Sequence, residues 1–282
     1  MGKLGGFIRL MRPINCTMMG FAVFVGAILA ASQPFQANWL NILFGFLTGF
    51  LLCAAAMSIN DYYDRAIDAV NEPLRPIPSG LVSANAALVF VCLLTAAGLV
   101  FSYLSSVLCL LVAVASWIIT VGYVTIGKRS GLPGNFLVST CVAIPFIYGS
   151  IAVTNTIQLN VLLFALMAFL SNTGREITKG IVDIKGDSGE GVRTLAVRFG
   201  DKKAAIAASL FYVSAVALTP LPLLLGLVSL WFIPFVLVTD VGLVVCSVVL
   251  LKNYSRENAR KIKKLVLLWF LFGLLAYIFG AL

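Results

Sequence analysis

Histidine is absent from all 282 residues, and acids are scarce: 11 Asp and Glu stand against 20 Lys and Arg. Without imidazole there is no Ser–His nucleophile and no His-ligated zinc or haem iron. The six cysteines (Cys16, Cys53, Cys92, Cys109, Cys141 and Cys246) fall inside apolar stretches with no paired spacing, so they read as small packing residues. Any metal must then be held by oxygen ligands, which points to Mg²⁺. Charge is scarce as well, at 11% of residues, while 61% are hydrophobic. With a mean hydropathy of +1.03, a soluble domain is excluded.

What is present is a series of long apolar stretches. A bilayer span needs about 20 apolar residues, and nine such stretches occur, at about 14–32, 38–58, 84–103, 106–126, 136–154, 160–178, 203–225, 229–251 and 265–281. The expected fold is all-α, a polytopic bundle of nine transmembrane helices in a single domain over 1–282. The first stretch lacks a clear small-residue cleavage site, so no cleavable signal peptide is expected. With nine crossings, every basic residue falls on one side: Lys3, Arg9 and Arg12; Arg65 and Arg75; Lys128 and Arg129; Arg175 to Lys203; Lys252 to Lys264. The opposite connections (32–37, 105, 154–160 and 219–229) carry no charged side chain. By the positive-inside rule the N-terminus is cytoplasmic, the protein a multi-pass cell-membrane protein. The net charge of +9 is this topology signal and implies no nucleic-acid partner. The stretch Lys252 to Lys264 orients the chain and attracts anionic lipid head groups.

The acids are clustered. Asp61, Asp64 and Asp68 follow the second span at i, i+3 and i+7, and Asp183 and Asp187 follow the sixth at i and i+4. Each set shares one face of a helix, with Gly186 allowing a local break in the second. Like charges so placed repel, and a divalent cation with a diphosphate offsets them. Both clusters lie in long connections, about 59–83 and 175–202, that follow even-numbered spans and end in Gly80 and Gly200. This suggests two related four-helix units plus one helix, with both connections on one membrane face and able to converge. In the first connection Pro73, Pro76 and Pro78 end the helix and hold Arg75 near the acids, to contact a phosphate or to pair with Asp68 or Glu72.

Asn60-Asp61-x-x-Asp64-x-x-x-Asp68, followed by Arg75-Pro-x-Pro-Ser-Gly80, resembles the first signature of the UbiA-type intramembrane prenyltransferases. Asp183-x-x-x-Asp187 resembles their second. The resemblance implies that both motifs bind an allylic diphosphate through Mg²⁺, two ions in all, ligated by Asn60, Asp61, Asp64, Asp68, Asp183 and Asp187. It also implies a cavity open to lipid for the prenyl tail. Arg175-Glu-Ile-x-Lys179, Gly191-x-x-Thr194-Leu, Arg12-Pro-x-Asn15, Tyr123-x-x-x-x-Lys128 and Gly134-Asn135 are similar to the archaeal digeranylgeranylglyceryl phosphate synthase branch. That branch implies transfer of a geranylgeranyl group from its diphosphate to the free hydroxyl of geranylgeranylglyceryl phosphate, forming the second ether bond of an archaeal lipid.

Chemically, an allylic diphosphate ionises when its leaving group is stabilised. Lys128, Tyr123 and Arg75 are candidates to line the diphosphate, and an alcohol acceptor needs little base assistance. A phosphate-bearing acceptor needs its own cations, for which Arg9, Arg12, Lys179 and Arg193 are available, with Asn15 beside them. The first motif is also close to the chlorophyll synthase branch, so a chlorophyllide-like or an aromatic quinone-precursor acceptor is the alternative. From another class, a transporter would place its acids near mid-membrane, where Asp240 alone fits. The membrane alcohol phosphotransferase motif fails because Arg65 follows Asp64.

Overall fold

The computed structural model describes residues 2–31, 38–189 and 191–281, and no strand occurs among them. The outer connection expected over 32–37 lies outside the described residues. The helices in chain order are α1 (Lys3–Met11), α2 (Pro13–Ala30), α3 (Trp39–Asn71), α4 (Ala84–Ser105), α5 (Val107–Thr125), α6 (Leu132–Thr154), α7 (Leu159–Gly189), α8 (Leu195–Phe199), α9 (Asp201–Leu218), α10 (Pro220–Leu224), α11 (Phe232–Lys252) and α12 (Arg256–Gly280). Eight helices or helix pairs among the described residues are long and apolar enough to cross a bilayer: α2, α3, α4, α5, α6, α9 with α10, α11 and α12. The chain is a multi-pass membrane protein. The expected span over 160–178 lies in α7, whose 31 residues exceed the length needed. Asn172, Arg175 and Glu176 interrupt the apolar run of α7 within that stretch.

Apolar stretches alone do not start helices; local caps do. Pro13 at the first position of α2 loses nothing by lacking an N–H. The side chains of Asn38, Ser83 and Ser255 accept from the amides of Asn41, Ala86 and Asn258, at 3.3, 3.2 and 3.4 Å, and start α3, α4 and α12. Large apolar side chains such as Val89, Leu93, Val100, Leu111 and Val241 are exposed, as helices facing lipid tails require.

Contacts divide the chain into two compact units. The first comprises Met1–Thr125 and Ile144–Ile157, and the second Ile126–Ala143 and Gln158–Leu282. The division falls inside α6, beside Pro145, which interrupts that helix's hydrogen bonding. In the first unit Cys16, Cys53, Ala54, Ala55, Ile59, Val91 and Leu94 knit α2, α3 and α4. Buried Tyr148 donates to Ser102 at 2.9 Å and lies 3.3 Å from the Thr48 hydroxyl. In the second unit Ile177, Ile181 and Val182 of α7 pack with Ala204, Ala208 and Tyr212 of α9, Leu243 and Cys246 of α11, and Ala259 and Ile262 of α12. α7 runs on through Gly186 to Gly189, so the local break that Gly186 allowed is not made and Asp183 and Asp187 stand on one helix.

Close backbone approach fastens α2 to the second half of α6. A β-carbon on Gly149 would lie 2.1 Å from the Val23 carbonyl oxygen, and one on Gly26 would lie 2.1 Å from that of Phe146. Small residues at such a crossing let dispersion and carbonyl contacts hold helices together in lipid. Replacing Gly149 with valine forces the helices apart. We expect a loss of about 1–3 kcal/mol, read as a lower apparent unfolding temperature of the detergent-solubilised protein.

Candidate active site

In the first unit, α3 carries its helical hydrogen bonding past the apolar run to Asn71, so Asn60, Asp61, Asp64 and Asp68 ride on one rigid helix. Asp61 and Asp68 are buried, at 3% and 6% exposure. A buried carboxylate without a counter-charge is costly, and two arginines supply it. Arg12 Nη2 lies 2.5 Å from Asp61 Oδ1. Arg75 Nη1 lies 2.6 Å from Asp68 Oδ2 and 3.4 Å from Asp61 Oδ1. Burial works against the charge of Arg75, but the hydrogen bond to Asp68 and the charges of Asp61, Asp68 and Glu72 outweigh it, raising the guanidinium pKa above its ordinary value. Asp64 accepts from Asn60 Nδ2 at 3.0 Å.

The backbone delivers both arginines. Arg12 ends α1 and begins α2 in the left-handed region, at φ 53° and ψ 69°. That costs on the order of 1 kcal/mol in a non-glycine residue and swings its guanidinium onto α3. Arg12 and Asn15 also reach Met57 Sδ, at 3.8 and 3.9 Å. Arg75 sits in a turn closed by Arg75 N to Glu72 O at 2.9 Å and Ser79 N to Arg75 O at 3.0 Å. Gly80, at φ 75°, turns the chain back toward α4. Arg9 donates to the Leu74 carbonyl at 3.0 Å, tying α1 to the same turn. Thus Arg9, Arg12, Asn15, Asn60, Asp61, Asp64, Asp68 and Arg75 form one cluster. Tyr123, half-buried near the end of α5, belongs to the same unit.

In the second unit, Lys179, Asp183 and Asp187 lie along α7, with Lys179 the most exposed. Beyond α7 the chain turns at once, with Val192 N bonded to Asp187 O at 2.9 Å. Lys128 lies in a 3₁₀ turn over Gly127–Arg129. Arg193 N donates to Arg129 O at 3.3 Å, which joins the loops bearing Lys128 and Arg193. Gly131, at φ 75°, makes room: a β-carbon there would meet Arg193 O at 2.1 Å.

Two features escaped the sequence reading. Arg256, in the stretch assigned to lipid head groups, donates from Nε to the Val182 carbonyl at 2.8 Å, beside Asp183. Nothing in the sequence signals so distant a contact. Glu176 takes Arg175 and Lys179 at 2.9 and 3.3 Å; its i, i+3 spacing to Lys179 was the available signal. Asp240 accepts from Thr219 at 2.8 Å within the second unit.

The donors are hard oxygens, which suit Mg²⁺. Among the described residues no three acidic side chains converge on a point, and Asp61 and Asp68 already have guanidinium partners. A cation held by this set would need further oxygens from a ligand or water.

The pattern that defines the UbiA prenyltransferase family matches residues 19–277. The chain is 38% identical to a digeranylgeranylglyceryl phosphate synthase of Archaeoglobus fulgidus, over 96% of this chain and 94% of that protein. It is 35% identical to one of Korarchaeum cryptofilum, over 98% and 96%. A solved structure described as "Structural and mechanistic insights into the biosynthesis of Digeranylgeranylglyceryl phosphate synthase in membranes" is 32% identical, with a TM-score of 0.89, covering 99% of this chain and 98% of that one. A UbiA homolog from Archaeoglobus fulgidus bound to GPP and Mg²⁺ shares the fold at 16% identity, with a TM-score of 0.71 over 97% and 99%.

Removing Arg75 strands Asp68. We expect Arg75→Ala to lower stability by about 1–3 kcal/mol, with Asp68→Asn restoring much of the loss in the double variant. Apparent unfolding temperatures of the four proteins check it.

Proposed function

This chain belongs to the UbiA prenyltransferase family, and we propose that it transfers a geranylgeranyl group from geranylgeranyl diphosphate to the free hydroxyl of geranylgeranylglyceryl phosphate. The observation that carries this reading is identity of 33–38% to digeranylgeranylglyceryl phosphate synthases over nearly the whole chain. The product is the second ether bond of an archaeal-type lipid. In the transfer, the bond between the allylic carbon and the diphosphate breaks and one between that carbon and the acceptor oxygen forms. The hydroxyl proton leaves to solvent, and diphosphate departs.

Asn60, Asp61, Asp64 and Asp68 would hold one Mg²⁺ and Asp183 and Asp187 a second. When bound, the metal supplies charge neutralisation of the leaving group. Arg75, fixed by Asp68 and Asp61, stays charged through the reaction and stands beside the first motif. Lys128 and Tyr123 are proposed to line the diphosphate, and Arg9, Arg12, Asn15, Lys179 and Arg193 to serve the anionic ends of the two substrates. The nine-span topology, the cytoplasmic N-terminus and active face, and one domain of two related four-helix units plus a helix complete the proposal. Exposed apolar side chains put lipid tails around the helices, the medium from which both prenyl-bearing substrates would enter.

Purified protein should be given Mg²⁺, geranylgeranyl diphosphate and three competing acceptors: geranylgeranylglyceryl phosphate, 4-hydroxybenzoate and chlorophyllide. Mass spectrometry should find the prenyl group on the glyceryl phosphate, and a chelator should abolish product. Prenylation of another acceptor would overturn the acceptor assignment. Asp64→Ala and Asp183→Ala should each lower turnover about a hundredfold or more; a near-normal rate in either removes that motif from the metal site.

A further inference from the structure

One charged group on α7 is unused by the account so far. Glu176 is 10% exposed, and its two carboxylate oxygens hold two cations: Arg175 Nη1 at 2.9 Å from Oε1, and Lys179 Nζ at 3.3 Å from Oε2. A charged residue in the membrane part of a helix is a candidate for function. Two cations against one carboxylate leave the trio with a positive charge. Arg175 Nε is also buried with no acceptor among the described residues, a surplus donor that needs an explanation. Neighbouring polar groups do not take it up. Asn172 and Thr173 bond to Ser139 at 3.2 and 2.8 Å, and Thr178 to Tyr212 at 3.0 Å.

Position adds to charge. Glu176, Asp183 and Asp187 stand at i, i+7 and i+11, on one face of α7. The trio thus lies about 10 Å along the helix from Asp183. In a glyceryl phosphate acceptor, the phosphate sits on the carbon next to the one bearing the free hydroxyl. An enzyme that joins that hydroxyl to the carbon leaving a diphosphate needs a second anion site near the first.

We infer that Glu176 is a positioning residue that holds Arg175 and Lys179 as a site for the phosphate monoester of the acceptor, so that α7 serves both anionic substrates. This rests on the function proposed above. The carboxylate fixes the spacing of the two cations, and a phosphate oxygen supplies the acceptor that Arg175 Nε lacks.

The test is Glu176→Gln in the full chain, which keeps the side-chain shape and removes the charge. Rates are measured with geranylgeranylglyceryl phosphate and with its phosphate-free alcohol. KM for the phosphorylated acceptor should rise about tenfold, and the preference for it over the alcohol should fall by about the same factor. KM for geranylgeranyl diphosphate should change less than about twofold. A rise in the donor KM instead, or equal losses with both acceptors, would overturn the inference. Arg175→Lys, which keeps the charge but lacks the fork, should give the same pattern and stands in if Glu176→Gln does not fold. If the wild-type protein does not prenylate the glyceryl phosphate at all, the proposed function fails by itself. The inference is then decided by whether that lipid alone raises the unfolding temperature of wild type more than of Glu176→Gln.

Discussion

Neutralising carboxylate charge at the edge of an apolar bundle is the constraint on which the rest of the first unit depends. Asp61 and Asp68 are nearly inaccessible to water, and an unpaired charge there would cost far more than one helix can contribute. Arg12 and Arg75 meet that cost from opposite directions in sequence. The left-handed backbone at Arg12, the proline-rich turn holding Arg75 and the tie from Arg9 to Leu74 all follow from bringing cations to α3. An acidic face whose charge is balanced by arginines is also one that a divalent cation and a phosphate can enter by exchange of partners, with little change in net charge.

The second unit solves the same problem with local means. Glu176 and its two partners lie within one turn of α7, and Arg256 reaches the α7 backbone from the start of α12. A core shared by α7, α9, α11 and α12 keeps that helix unbroken beyond its apolar part. The two acidic motifs thus share a design at the level of single elements. Each is the polar extension of a long helix whose apolar part is fixed by packing.

Much of this was legible in the residues. Spacing at i, i+3 and i+7 marked Asp61, Asp64 and Asp68 as one helical face, and α3 carries them so. Asn60 entered through the motif and Arg75 through the prolines that hold it near the acids, where its pairing with Asp68 is found. Periodicity could not show that a guanidinium from residue 12 would close on residue 61, because that depends on a backbone reversal with no composition signal. Gly186 allowed a break that α7 does not make, a single glycine costing a helix only about 1 kcal/mol. The apolar run of α7 is interrupted by Asn172, Arg175 and Glu176, which is why it stands apart from the eight apolar spans.

The Arg12–Asp61–Arg75–Asp68 cluster has a consequence for how the chain is made. All four residues fall within the first 75, so as the protein leaves the ribosome each buried acid has its counter-charge available once Arg75 has been synthesised. Domains form in order of synthesis, from the N-terminus. The most expensive charges in the first unit can therefore be settled into the bilayer edge before a single residue of α7 exists. Damage to Arg12 would be felt as a fault of biogenesis as much as of chemistry.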